Sequence, residues 1–159
     1  MRLTHRLPLA LALSTLLLVA QGSAHAADTA PIADLPELGP IRAQIYSGEY
    51  ETAVQELQQL VEAAGDNAHP DVYNLLGFSL RNIQRYDEAA HWYRRALYFD
   101  ATHRATLEYQ GELFISLGDI ENAQKNHRYL QILCGTEKCP ELEQLGKALA
   151  KAGHPVQAP

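Results

Sequence analysis

A glycine and an alanine recur in this chain at one fixed interval, and that interval restricts the fold more than any other feature. The step from Gly77 to Gly111 equals the step from Ala89 to Ala123, so the distance from Gly to Ala is also the same in both units. Around them, Tyr73-Asn74-Leu75-Leu76-Gly77-Phe78-Ser79-Leu80 parallels Leu107-Glu108-Tyr109-Gln110-Gly111-Glu112-Leu113-Phe114, and Tyr86-Asp87-Glu88-Ala89 parallels Ile120-Glu121-Asn122-Ala123. A period of roughly 20–50 residues marks stacked units, none of which can bury its apolar face alone. Tyr73, Leu76 and Leu80 fall at helical spacing, as do Tyr93, Ala96 and Leu97, so each unit reads as two amphipathic helices. A glycine inside a helix costs about 1 kcal/mol against alanine. Its return at the same place in two units predicts close helix packing there, with Ala89 and Ala123 as the opposing small residues.

The pattern resembles the tetratricopeptide repeat family. Its W-x2-L-G-x2-Y…A-x3-F…A…P signature falls on Tyr73, Leu76, Gly77, Leu80, Ala89, Tyr93 and Ala96, with Ala101 where the family has its closing proline. The next unit departs further: Gln110 replaces the leucine, His127 the aromatic and Leu130 the last small residue. A worn unit comes first. Its Tyr50-Glu51-Thr52-Ala53 parallels Tyr86–Ala89 at a slightly longer step, and Asp66–His69 absorb the difference. The resemblance covers about 34–153. It implies an all-α, right-handed α-solenoid of three helix-turn-helix units (34–69, 70–103, 104–137) within a domain spanning 40–153. A capping helix at 140–152 closes the stack. The expected helices are 40–47, 50–64, 70–83, 86–99, 102–117, 119–133 and 140–152. Segments 27–39 and 154–159 are expected to be loose.

The N-terminus has a different character. Arg2, His5 and Arg6 precede an apolar run from Leu7 to Ala20, and Ala24-His25-Ala26 follows. This is the layout of a secretory signal peptide, with cleavage expected after Ala26. The run is shorter than the ~20 residues of a membrane helix, and no later stretch qualifies, so no membrane span is expected after cleavage. Similarity to small exported bacterial repeat proteins implies the periplasm. Without residues 1–26, two of 13 basic residues are lost and none of 19 acidic ones, giving 11 − 19 = −8. So acidic a chain, with no basic stripe, is not expected to bind nucleic acid.

The two cysteines, Cys134 and Cys139, are expected to form a disulfide at the turn into the capping helix. A redox role, or a metal site joining these thiols to His127 and His154, is the alternative at this point.

Nothing predicts catalysis. The serines beyond the leader, Ser47, Ser79 and Ser116, lie outside any nucleophile-elbow motif, and no phosphate loop or H-E-x-x-H pattern occurs. No catalytic residue, cofactor or metal ligand is therefore assigned. A His103–His127 pair in the third unit is left open.

Function is expected instead from the concave face, which the resemblance assigns to the first helix of each unit. The candidate groove residues are Asn74, Phe78, Arg81 and Asn82 from the second unit and Glu108 and Glu112 from the third. An asparagine can bond a peptide backbone, Phe78 can hold an apolar side chain, and Arg81 can meet a carboxylate. The bland alternative is that Arg81 and Glu112 pair with each other. No lysine is expected in the groove. The expected activity is that of a non-catalytic adaptor or scaffold holding a protein or peptide. A self-assembling or envelope-complex module, or a metal- or cofactor-delivery protein, are the alternatives.

Overall fold

The computed structural model describes residues 32–65 and 67–156. The expected leader with its cleavage point, residues 27–31, Asp66 and residues 157–159 lie outside the described residues. Among the described residues, seven helices follow one another: α1 (Gly39–Ser47), α2 (Tyr50–Ala63), α3 (Pro70–Asn82), α4 (Tyr86–Phe99), α5 (Arg104–Ser116), α6 (Ile120–Cys134) and α7 (Pro140–Lys151). They agree with the expected helices to within two residues at every end.

Local chemistry sets these boundaries. His69 and His103, which occupy the same place in successive units, cap α3 and α5. Each imidazole Nδ1 accepts a backbone N–H, from Asp71 and from Thr106, both at 3.2 Å. Pro70 and Pro140 occupy first-turn positions, where a missing N–H costs nothing. Asp119 caps α6 by accepting the Asn122 N–H. The turns inside the units reverse direction through left-handed residues: Gly48 (φ 81°), Gln84 (φ 62°) and Gly118 (φ 78°).

The helices pair as hairpins, α1 with α2, α3 with α4 and α5 with α6, and successive hairpins stack. The fold is an all-α solenoid. Its interior divides into two apolar clusters. One is built mainly from α1–α4 and centres on Leu57, Tyr73, Leu76, Leu80 and Tyr93. The other joins α5 and α6 to α7 through Leu107, Leu130, Leu142, Leu145 and Leu149, with Cys134 and Cys139 at its edge. The two sulfurs are at bonding distance, 2.06 Å, at the turn where α7 begins.

Two expectations are corrected here. The atoms nearest the glycines are not those of the facing alanines. A Cβ on Gly77 would meet the Tyr93 ring at 2.7 Å, and one on Gly111 would meet Leu145 of α7 at 2.6 Å. Large side chains thus sit on the bare backbone, and in the third unit the capping helix supplies the one that His127 is too short to provide. The described part of the segment expected to be loose is docked: Leu38 is buried, and the Ala33 N–H bonds the Asn67 carbonyl at 2.8 Å.

Candidate functional site

The first helices of the units, α3 and α5, meet along a line that is polar at both ends and aromatic in the middle. At the N-terminal end, Asp71 Oδ1 lies 3.0 Å from His103 Nε2, and the Thr106 hydroxyl lies 3.0 Å from Asn74 Oδ1. Because His103 Nδ1 accepts the Thr106 N–H, its Nε2 carries the proton and donates to Asp71. Arg42 of α1 reaches the other Asp71 oxygen at 3.7 Å. In the middle, Phe78 lies between Tyr50 and Tyr109, at centroid distances of 6.4 and 4.8 Å. At the far end, Arg81 spans the helices. Its Nη2 is 2.7 Å from Glu112 Oε2, and its guanidinium lies 5.5 Å from the Phe78 centroid and 6.0 Å from that of Tyr109.

The six candidate residues therefore divide. Phe78, Arg81 and Glu112 come together, with the ion pair that the bland reading anticipated. Asn74 is only 3 % exposed and its amide oxygen is taken by Thr106. It joins helices instead of facing a ligand. Asn82 is exposed at the end of α3, where its amide donates to the Phe78 carbonyl. It caps its own helix rather than contributing to a groove.

Glu108 is 2 % exposed, although expected in an open groove. Burial raises its pKa to about 8. The Glu112 charge adds to this, Arg81 opposes it, and Glu141 of α7 adds a little more. Burial likewise raises the Tyr109 hydroxyl, with Glu108 and Glu112 reinforcing it.

The capping helix completes the concave face. A depression of about 390 Å³ is lined by Arg81, Glu112, Ile115, Ser116, Ala148 and Lys151. A neighbouring one of about 330 Å³ shares Glu112 and Lys151 and adds Gln144 and Lys147. The expected absence of lysine is thus corrected: α7 curls round beside Glu112 and brings Lys147 and Lys151 with it. Tyr50 and Tyr109 were also missed. An aromatic residue beside Glu108 was a usable signal for Tyr109, but only the crossing of α3 and α5 places it against Phe78.

The histidines are kept apart. His103 caps α5, whereas His127 is buried in α6 against Gly146, whose added Cβ would lie 3.2 Å from Nε2. Burial, followed by the Arg128 charge, lowers the His127 pKa. Among the described residues, no group of three His, Cys, Asp or Glu side chains is placed to hold a metal ion. Nor is any helix among them long and apolar enough to cross a membrane.

These hairpins define a stack of helical repeats. Residues 70–103 match the tetratricopeptide repeat model; the chain carries a tetratricopeptide repeat there, and the hairpins on either side extend the same stack. The fold is shared with solved structures, among them the crystal structure of the Yersinia enterocolitica type III secretion translocator chaperone SycD (alternative dimer). That match has a TM-score of 0.60 and 21 % identity, and it covers 71 % of this chain and 83 % of that one. At this identity the likeness concerns the fold alone. Among curated proteins no significant match is found.

Proposed function

We propose that the chain is a non-catalytic adaptor of the bacterial periplasm that holds a protein segment on its concave face. The observation that carries this reading is the continuous surface formed by Phe78, Tyr109, Arg81 and Glu112 with the depressions beside Ile115, Ala148 and Lys151. It offers aromatic area, two charge signs and a trough, the elements from which peptide-recognition sites are made. The Arg81–Glu112 pair is partly shielded and held by two rings. It presents a fixed guanidinium edge and a fixed carboxylate to whatever lies across it. The periplasmic address rests on the composition of residues 1–26, with its basic opening, apolar run and Ala-x-Ala site.

The test is a pull-down from an envelope extract with the full chain as bait. A captured protein should be lost from the Phe78→Ala/Arg81→Ala double variant and retained by a convex-face variant such as Arg94→Ala. Equal capture by the double variant would place the contact elsewhere.

A second reading is an assembly module. Tyr98 on α4 and Ile132 on α6 occupy equivalent places in successive units and are 71 % and 76 % exposed. Stranded side chains at repeat-equivalent positions suit association with another surface. Sedimentation of a monomer at high concentration would count against self-assembly.

A further inference from the structure

The capping helix α7 lines more than the concave face. Gln144, Ala148 and Lys151 border the depressions beside Glu112, whereas Leu142, Gly146 and Ala150 line a different cavity of about 350 Å³. α6 contributes His127 to that cavity, the turn into α7 contributes Cys139, and the C-terminal segment contributes Val156. His127 stands where the preceding unit has Tyr93, but Leu145 has taken the place on Gly111. The imidazole lies instead against Gly146, where a Cβ would stand 3.2 Å from Nε2 and 3.7 Å from Val156 Cγ2. His127 is 4 % exposed, and among the described residues its side chain has no hydrogen-bond or ion-pair partner.

A buried polar group without a partner is unfavourable, and a ligand that supplies the partner removes the penalty. Water is a poor occupant, because a buried water needs about two to four polar partners. Leu142, Val156 and the bonded Cys139 sulfur, which surround His127 in the cavity, offer little beyond the imidazole itself. The mouth is charged but balanced. Glu137 and Glu143 are set against Lys138 and Lys147, all exposed, and Lys147 Nζ lies 3.8 Å from Glu143 Oε2. That balance favours neither sign of ligand charge. An apolar cavity of about 150 Å³ already accepts a benzene-sized molecule, so this one has room for a substituted ring. We propose that the cavity between α6 and α7 binds a small neutral molecule, a ring-sized apolar body bearing one hydroxyl, with the hydroxyl bonded to the His127 imidazole. Burial keeps that imidazole neutral, so one ring nitrogen accepts and the other donates. The site is separate from the concave groove and does not rest on the reading of that groove.

The test is an NMR titration of the ¹⁵N-labelled full chain, disulfide intact, with 4-methylphenol. Toluene serves as the same body without the hydroxyl. The phenol should move the amides of His127, Gly146 and Val156 in a saturable way, and the His127 ring nitrogens more than toluene does. Toluene should seat in the same place about fivefold more weakly, the usual worth of one hydrogen bond. The charged analogues 4-methylbenzoate and 4-methylbenzylammonium should both bind more weakly than the phenol. His127→Phe keeps a ring but removes the nitrogens, and should erase the difference between phenol and toluene. Ala150→Leu adds bulk at an exposed helix position on the cavity wall, where it leaves the fold intact. It should abolish saturable binding of both probes.

Equal binding of phenol and toluene, phenol shifts confined to other helices, or unchanged binding by Ala150→Leu would each overturn the proposal. Tighter binding of either charged analogue would do the same. Should His127→Phe fail to fold, the ring-nitrogen shifts of the unaltered chain and the Ala150→Leu titration decide the matter.

Discussion

The ring of Tyr93 on α4 rests on the backbone of Gly77 on α3, so closely that a Cβ on the glycine would stand 2.7 Å from the ring carbons Cδ1 and Cε1. Both residues are buried and both belong to the larger core cluster's hairpin. The glycine is therefore a contact surface: its missing side chain is the slot into which the tyrosine fits.

Gly77→Ala should destabilise the chain even though alanine is the better helix former. The gain in helix propensity is about 1 kcal/mol. The clash forces the ring or helix to shift, at a typical cost of about 1–3 kcal/mol, which outweighs the gain over most of that range. Chemical denaturation should show a net loss of stability. A stabilised variant would mean that Tyr93 moves aside without penalty.

Gln84 stands where Gly118 and Gly48 close the other hairpins, and it is the one described non-glycine residue with positive φ, at 62°. A side chain in the left-handed region costs about 1–2 kcal/mol. Gln84→Gly should therefore stabilise by roughly 0.5–1 kcal/mol, after allowing for the greater freedom glycine gives the unfolded chain. A lower melting temperature in calorimetry would contradict this.

Glu108 makes stability depend on pH in a definite direction. Its pKa is raised to about 8 in the folded chain, above its ordinary 4.5, so between those values the native state holds a proton that the unfolded state has lost. Stability contributed by this group therefore falls as pH rises from about 4.5 to 8, by at least about 1 kcal/mol, and then levels off. Glu108→Gln should remove that slope and be the more stable form above pH 8. Urea midpoints of the two proteins at pH 5 and pH 9 measure it; parallel pH dependence would exclude a raised Glu108.

The Cys134–Cys139 link closes a short loop, for which chain entropy gives about 2 kcal/mol. Cys134→Ser/Cys139→Ser should lose roughly that much. Hydrogen exchange should quicken in α7 and the end of α6, while α2–α4, in the other core cluster, stay protected. Uniform loosening of all seven helices would show that the link does more than fasten the cap.

Most of the fold was legible in the residues. The regular return of Gly77 as Gly111 and of Ala89 as Ala123 fixes helix length, turn position and the order of hairpins. Those properties depend on local propensity and apolar spacing, which a linear chain displays. The disulfide partners were legible because there are only two cysteines.

The site was legible only in part. Phe78, Arg81 and Glu112 could be found by asking which face of a first helix stays clear of its own hairpin. Asn74 and Glu108 sit on that same face, yet the approach of α5 to α3 turns one into a hydrogen-bonded tie and buries the other. Lys147 and Lys151 are far from Arg81 in sequence, and Leu145 takes the place beside Gly111 that the repeat reserves for residue 127.

The sequence by itself determined a stack of helical hairpins, their boundaries and the face available for contact, because periodicity and capping are properties of neighbours along the chain. Only the tertiary structure decided which polar residues on that face remain available and where α7 folds back. Those outcomes depend on how closely two helices approach, and that distance is set by Tyr93 on Gly77 and Leu145 on Gly111, contacts that exist only once the units are packed.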